Sequence, residues 1–220
     1  MDIVRNIQTI KSELPPEVKL VAVSKFHPVS AIREAMQAGQ TVFGENRPQE
    51  FEKKVKELEG QGIEWHFIGH IQTNKLKMVL PYASLVQSVD SLDLLDAINS
   101  WGAKNDRTIP VLLELHIAAE ESKSGLKEEE VMDVLFRAAS YKNVRFCGLM
   151  GMATNTDRED IIRADFERIS GFKGYLQDLF PELESFTELS IGMSGDWRIA
   201  LEYGATIVRI GTSIFGERDY

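Results

Sequence analysis

Apolar residues along this chain follow two alternating rhythms. Short runs of consecutive apolar residues alternate with stretches in which apolar positions recur every three or four residues. Consecutive runs mark strands buried on both faces, and the longer period marks amphipathic helices. Ile3, Ile7 and Ile10 predict an opening helix ended by Pro15-Pro16. Strands are then predicted at 20–25, 41–45, 63–68, 85–89, 109–116, 144–150, 188–193 and 205–210. The intervening helices carry Ile32, Ala35 and Met36; Phe51, Val55 and Leu58; Leu76, Met78, Val79 and Leu80; and Leu92, Leu95 and Ile98. Later ones carry Val131, Val134, Leu135 and Ala138, then Ile162, Phe166 and Ile169, then Ile199, Ala200 and Tyr203. Glu128-Glu129-Glu130 suits the positive N-terminal end of its helix.

Eight strands result, each but the last followed by a clear helix, and no linker or shift in composition divides them. Alternation of this kind predicts a parallel sheet, and eight units in 220 residues predict a closed (β/α)₈ barrel in a single domain spanning 1–220, with an extra N-terminal helix. A doubly wound open sheet is the alternative, and rarely uses so many regular units.

Composition narrows the functional classes. A net charge of −9 argues against a nucleic-acid binder, which carries a basic excess. Cys147 is the single cysteine, so neither a disulfide framework nor a cysteine metal site is expected; mid-strand, it reads as a small core hydrophobe. The N-terminus has no basic segment leading into an apolar core, and no apolar run approaches the roughly 20 residues that span a bilayer. The expectation is a cytoplasmic protein without a membrane anchor.

Barrels of this kind build their sites at the C-terminal ends of the strands. Read off there, Lys25, Asn46, His66, His116, Met193, Ser194 and Arg209 become candidate neighbours. The stretch 209–216 adds glycines, hydroxyls and backbone N–H groups, and Ser194-Gly195 opens the preceding helix, so Ser194 with Gly211 and Thr212 could cradle an anion. The bland alternative makes Ser194 a plain cap and Gly211 a turn residue. A phosphate cradle opposite a strand-end lysine suggests a phosphorylated aldehyde or ketone held as a Schiff base. Lysine must then be neutral, and its ordinary pKa of about 10.4 would fall with partial burial and a nearby guanidinium such as Arg209.

Several motifs taken together resemble one family. They are Ala22-Val23-Ser24-Lys25, Phe43-Gly44-Glu45-Asn46 with Gln49-Glu50, and Trp65-His66-Phe67-Ile68-Gly69 with Gln72-Thr73-Asn74-Lys75. Ser122-Lys123-Ser124-Gly125, Gly148-Leu149-Met150, the run from Leu189 to Ser194 and the run from Val208 to Gly216 complete the set. In this order, across nearly the whole chain, they resemble the pyridoxal phosphate homeostasis proteins, also called the YggS or proline synthetase co-transcribed family. The resemblance implies a barrel like the N-terminal domain of alanine racemase, with pyridoxal 5′-phosphate (PLP) joined to Lys25 as a Schiff base. It also implies that Ser194, Gly211 and Thr212 hold the phosphate, that Arg209 faces the pyridine nitrogen, and that Asn46 and Met193 lie beside the ring. Two rim segments depart from the common form: His70-Ile71, where proline and leucine are usual, and Gly195-Asp196-Trp197, where two acidic residues follow the serine.

Arginine is a poor proton donor to a ring nitrogen, so the cofactor would be a weak electron sink. A racemase also needs a second acid/base group, supplied in that architecture from another domain or subunit, whereas the barrel uses all of this chain. The reading is a PLP carrier in vitamin B6 homeostasis, without a catalytic residue set, buffering the cofactor or passing it to apo-enzymes, and monomeric ahead of homodimeric. Alternatives are a weak PLP-dependent amino-acid racemase, a Schiff-base lyase acting on a phosphorylated sugar, or an interaction protein that uses PLP as a signal. Asn46 is also placed to cap the following helix with Gln49 three residues on. His66 reads as a packed residue at the rim, and no metal site is expected from His66, His70 and His116. Lys75 and Lys123 read as solvated, with Lys123 the sharper candidate for guiding the phosphate or accepting the aldehyde in transit.

Overall fold

The computed structural model describes residues 2–120 and 124–217. Its strands are β1 (Lys19–Val23), β2 (Val42–Glu45), β3 (Glu64–Phe67), β4 (Leu85–Val89), β5 (Ile109–Glu114), β6 (Val144–Met150), β7 (Glu188–Ser190) and β8 (Ile207–Ile210). All neighbours pair in parallel in sequence order, and β1 closes on β8 with Val21 opposite Arg209. Residues alternate between two surroundings, as the pleat requires. Leu20, Ala22, Val208 and Ile210 face the helices, while Val21, Val42, Leu112, Cys147 and Ile207 pack inside the barrel.

The helices are α1 (Ile3–Glu13), α2 (Val29–Gln37), α3 (Pro48–Glu57), α4 (Leu76–Val79), α5 (Leu92–Lys104), α6 (Glu128–Phe136), α7 (Glu159–Leu179), α8 (Trp197–Glu202) and the single turn α9 (Thr212–Phe215). The Asp2 carboxylate caps α1 by accepting the Arg5 N–H at 2.9 Å, and Ile3, Ile7 and Ile10 bury its apolar stripe. This helix packs against α2 and α9, and the Asn6 amide donates to the Ile214 carbonyl at 3.0 Å. It therefore occupies the place in the outer ring that the one-turn α9 is too short to fill.

Four predicted strands, the first, third, fifth and seventh, run past their observed ends, and for the last two the reasons are visible. The fifth ends at Glu114: the Leu115 N–H still donates to the Met150 carbonyl of β6, but the Glu114 carbonyl and the His116 N–H bond to Leu126 instead. The seventh stops at Ser190 because the backbone turns at Gly192, whose φ of +92° suits glycine. A Cβ there would also lie 2.7 Å from the Ala200 methyl.

Candidate functional site

Lys25 lies two residues beyond β1, in the turn that leads to α2. The next residue, Phe26, has φ +68°, a left-handed conformation that an aromatic residue adopts only when its surroundings enforce it. Those surroundings are ionic. The Phe26 N–H donates to Glu50 Oε1 at 2.7 Å, and Lys54 Nζ donates to Glu50 Oε1, to Glu45 Oε1 (both 2.7 Å) and to the Ser24 carbonyl (2.8 Å). Ser24 Oγ also donates to Glu45 Oε1, and the Arg47 guanidinium lies 4.5 Å from the Phe26 ring centre. The Lys54 and Glu45 side chains are 6% and 0% exposed. Burial holds the Glu45 carboxyl above the usual carboxylate range, against the pull of Lys54 and the Ser24 hydroxyl. This clamp was not foreseen as a unit. Its signal was a lysine three residues after Phe51 in the apolar stripe of α3, where a solvated residue does not belong.

In front of the clamp opens a cavity of about 400 Å³, and Lys25, Asn46, Met193, Ser194, Arg209, Gly211 and Thr212 all line it. Arg209 points inward from β8 and is buried. Its Nη1 donates to the Ser190 hydroxyl (2.6 Å) and carbonyl (2.7 Å), and Nη2 donates to the Gly151 carbonyl (3.0 Å). Burial pushes its pKa down to about 10, which leaves it a cation at neutral pH. Ser194 Oγ accepts the N–H groups of Gly211 and Ser213, each at 3.3 Å, so hydroxyls and amides from the loops after β7 and β8 meet in one place.

The capping role expected for Asn46 is not what the structure has. Pro48 opens α3 and drives Arg47 into extended backbone, so Arg47 takes the cap position, without a side-chain bond. Released from capping, Asn46 keeps a buried side-chain oxygen with no hydrogen-bond partner among the described residues. Gly69 packs tightly against it, and a Cβ at 69 would fall 2.2 Å from the Asn46 carbonyl oxygen. An orphaned acceptor on the wall of a cavity suits a polar ligand, as do the cation and the cradle opposite.

The cavity also has an acidic side. Glu114 is buried, accepts the Ser124 hydroxyl at 3.0 Å, and is held above the usual carboxylate range by burial and by the like charge of Asp90. His70, at the mouth, pairs through Nδ1 with Asp90 at 2.7 Å. Of the other expected neighbours, His116 lies outside the cavity lining; Lys75, expected to be solvated, also lies outside it. His66 is not at the rim. It is fully buried inside the barrel, between Glu64 and Gln87. Lys123 and Ser122 fall outside the described residues. Among the described residues, no group of three or more His, Cys, Asp or Glu side chains could hold a metal ion, and no helix is long and apolar enough to cross a membrane.

The alanine racemase N-terminal domain family matches residues 2–219. The pyridoxal phosphate homeostasis protein of Vibrio alginolyticus is 38% identical over 230 residues, covering 98% of this chain and 97% of that protein. The chain belongs to the pyridoxal phosphate homeostasis protein family. The Escherichia coli pyridoxal phosphate homeostasis protein is 35% identical over 100% of this chain and 98% of its own length. PipY of Synechococcus elongatus, solved with PLP bound, superimposes with a TM-score of 0.89 at 35% identity, covering 97% of this chain and all of PipY. Alanine racemase of Bartonella henselae shares the fold, with a TM-score of 0.74 at 15% identity over 59% of its chain. The family read from the motifs is thus the family found.

Proposed function

We propose that this chain binds pyridoxal 5′-phosphate in the cavity and serves intracellular vitamin B6 homeostasis, holding the cofactor on Lys25 and buffering or delivering it. The observation that carries this reading is the convergence of a strand-end lysine, a buried guanidinium and a hydroxyl-and-amide cradle in one cavity. Condensation of the neutral Lys25 amine with an aldehyde forms a C=N bond and releases one water. Ser194, Gly211 and Thr212 would hold the phosphate, Asn46 would face the ring, and Met193 would supply an apolar contact. The buried clamp fixes the turn that presents Lys25.

When bound, the cofactor supplies an electron sink for carbanions. Arg209, assigned to its ring nitrogen, is a cation that keeps its protons at neutral pH, which weakens that sink and favours a carrier over a catalyst. Apo-enzymes that depend on PLP are the recipients in this reading, and the carrier works as a monomer. PLP bound to PipY supports the choice of ligand.

Purified protein saturated with PLP should be yellow, and borohydride should fix a pyridoxyl group on Lys25. Lys25→Ala should lose both properties. A wild-type protein that stays colourless ends the reading, and substantial racemase, transaminase or decarboxylase turnover would remove its carrier half.

A further inference from the structure

A chain of hydrogen bonds crosses the barrel interior, from its N-terminal mouth to the cavity. Lys19 Nζ donates to Glu64 Oε1 at 2.7 Å, and His66 Nε2 lies 2.8 Å from the same oxygen. Gln87 Nε2 is 2.7 Å from His66 Nδ1. Ser190 Oγ donates to Gln87 Oε1 at 2.6 Å and accepts Arg209 Nη1 at 2.6 Å. His66, Gln87, Ser190 and Arg209 are all buried, in an interior that barrels of this type fill with branched apolar side chains.

The chain has one direction. Arginine only donates, so Ser190 Oγ accepts from it and must send its own proton to Gln87 Oε1. The Gln87 amide nitrogen then faces His66 Nδ1, which must be a lone pair. The imidazole is therefore neutral, with its proton on Nε2 and donated to Glu64. Protonating His66 would set N–H against N–H at Gln87. Only an overturned Gln87 amide relieves that contact. Its NH₂ would then donate to Ser190 Oγ, which would accept two donors while its own proton lost the Gln87 acceptor, and with it the geometry that holds Arg209.

We propose that His66 is a positioning residue for Arg209, acting through Gln87 and Ser190, and that charging the imidazole at one end of this chain loosens the guanidinium, and with it the bound ligand, at the other. The inference rests on the proposed PLP site. Burial independently lowers the pKa of the imidazole, against the raising effect of Glu64. The charges that act on it are Glu64 on its own strand, Lys19 on β1 and Glu188 on β7.

The test is the release of PLP from the loaded, full-length protein, followed by its visible spectrum from about pH 8 down to the lowest pH at which the protein stays folded, with the His66 imidazole titrated in parallel by NMR. Wild type, Gln87→Met and Gln87→Glu are compared, with melting of each unloaded protein as a check on folding. Methionine cuts the chain, so release near the upper pH should be about tenfold faster than in wild type, the loss of one hydrogen bond. That ratio should approach one once the pH has fallen below the folded pKa of His66, where wild type has cut its own chain. A merely structural Gln87 would keep the ratio constant. Glutamate accepts from both Ser190 and a protonated His66, so the chain survives with the imidazole charged and the acid acceleration of release should shrink. Should Gln87→Met fail to fold, the Gln87→Glu profile decides. If wild type loads PLP but the folded variants release it with the wild-type pH profile and spectrum, the inference falls alone. If wild type does not load PLP, the proposed function falls and takes the inference with it.

Discussion

Two buried polar clusters flank the cavity, and they are built on opposite principles. The clamp behind Lys25 is ionic and local: Ser24, Glu45, Glu50 and Lys54 lie within 30 residues of one another and meet between the barrel and α3. The interior chain passes through neutral links, and Ser190 and Gln87 are 103 residues apart. Charge holds a turn in a conformation the backbone resists, whereas neutral relays aim a charge that already exists. A buried ion pair suffers most when one partner goes, because the other is left charged in a poor solvent. A neutral chain loses about one hydrogen bond at a time.

That contrast sets the order of expected effects. Lys54→Met should be the most damaging, at about 3–5 kcal/mol in urea denaturation, with PLP loading on Lys25 impaired as the turn relaxes. Adding Glu45→Gln should recover much of the loss; a double variant as unstable as the single one would show that packing, not charge, holds the clamp. Ser190→Ala should cost about 1–3 kcal/mol, since it leaves a buried donor on Arg209 and the buried acceptor oxygen of Gln87 without full partners. At Phe26, glycine should be more stable than alanine by about 1 kcal/mol, because only glycine takes φ +68° without a Cβ penalty. Equal stabilities there would mean the turn relaxes once the ring is gone.

The smallest effect distinguishes the clusters by sign. His66 has a lowered folded pKa, so its contribution is complete above about pH 6.5 and is lost as pH falls towards the folded value. Glu64, drawn down to about 2 first by its hydrogen bond with His66, acts in the same direction, losing its contribution as pH falls from about 4.5 towards that value. Glu45 acts in the opposite direction: its folded pKa is raised, so stability drains as pH rises above about 4.5 through the folded value. Urea midpoints against pH should therefore flatten on the acid side in His66→Gln, and lose the opposing slope in Glu45→Gln.

The barrel was legible because each strand is a run of neighbours and each helix a stripe, both local patterns. The cavity residues were legible for a related reason, since Lys25, Asn46, Ser194 and Arg209 follow from where strands end. Errors arose where one residue overruled a pattern. Pro48 shifted the start of α3 away from Asn46, and Gly192 ended β7 early. The interior chain was not legible at all. Glu64 and His66 on β3, Gln87 on β4 and Ser190 on β7 are ordinary side chains, and only closure of the sheet turns the three strands' side chains towards one another.

Closure also has a kinetic side. The outer ring is completed by α1 docking beside α9, through residues 208 positions apart, next to the seam where β1 meets β8. The cost of closing a loop rises only slowly with its length, but none of it is returned until the far partner exists. Ile3, Ile7 and Ile10 have no ring to complete until the last strand is in place. The first helix of the chain can meet α2 early but is thus among the last to find its full set of neighbours. A folding intermediate that lacks the final strand would leave part of this apolar stripe uncovered and adhesive.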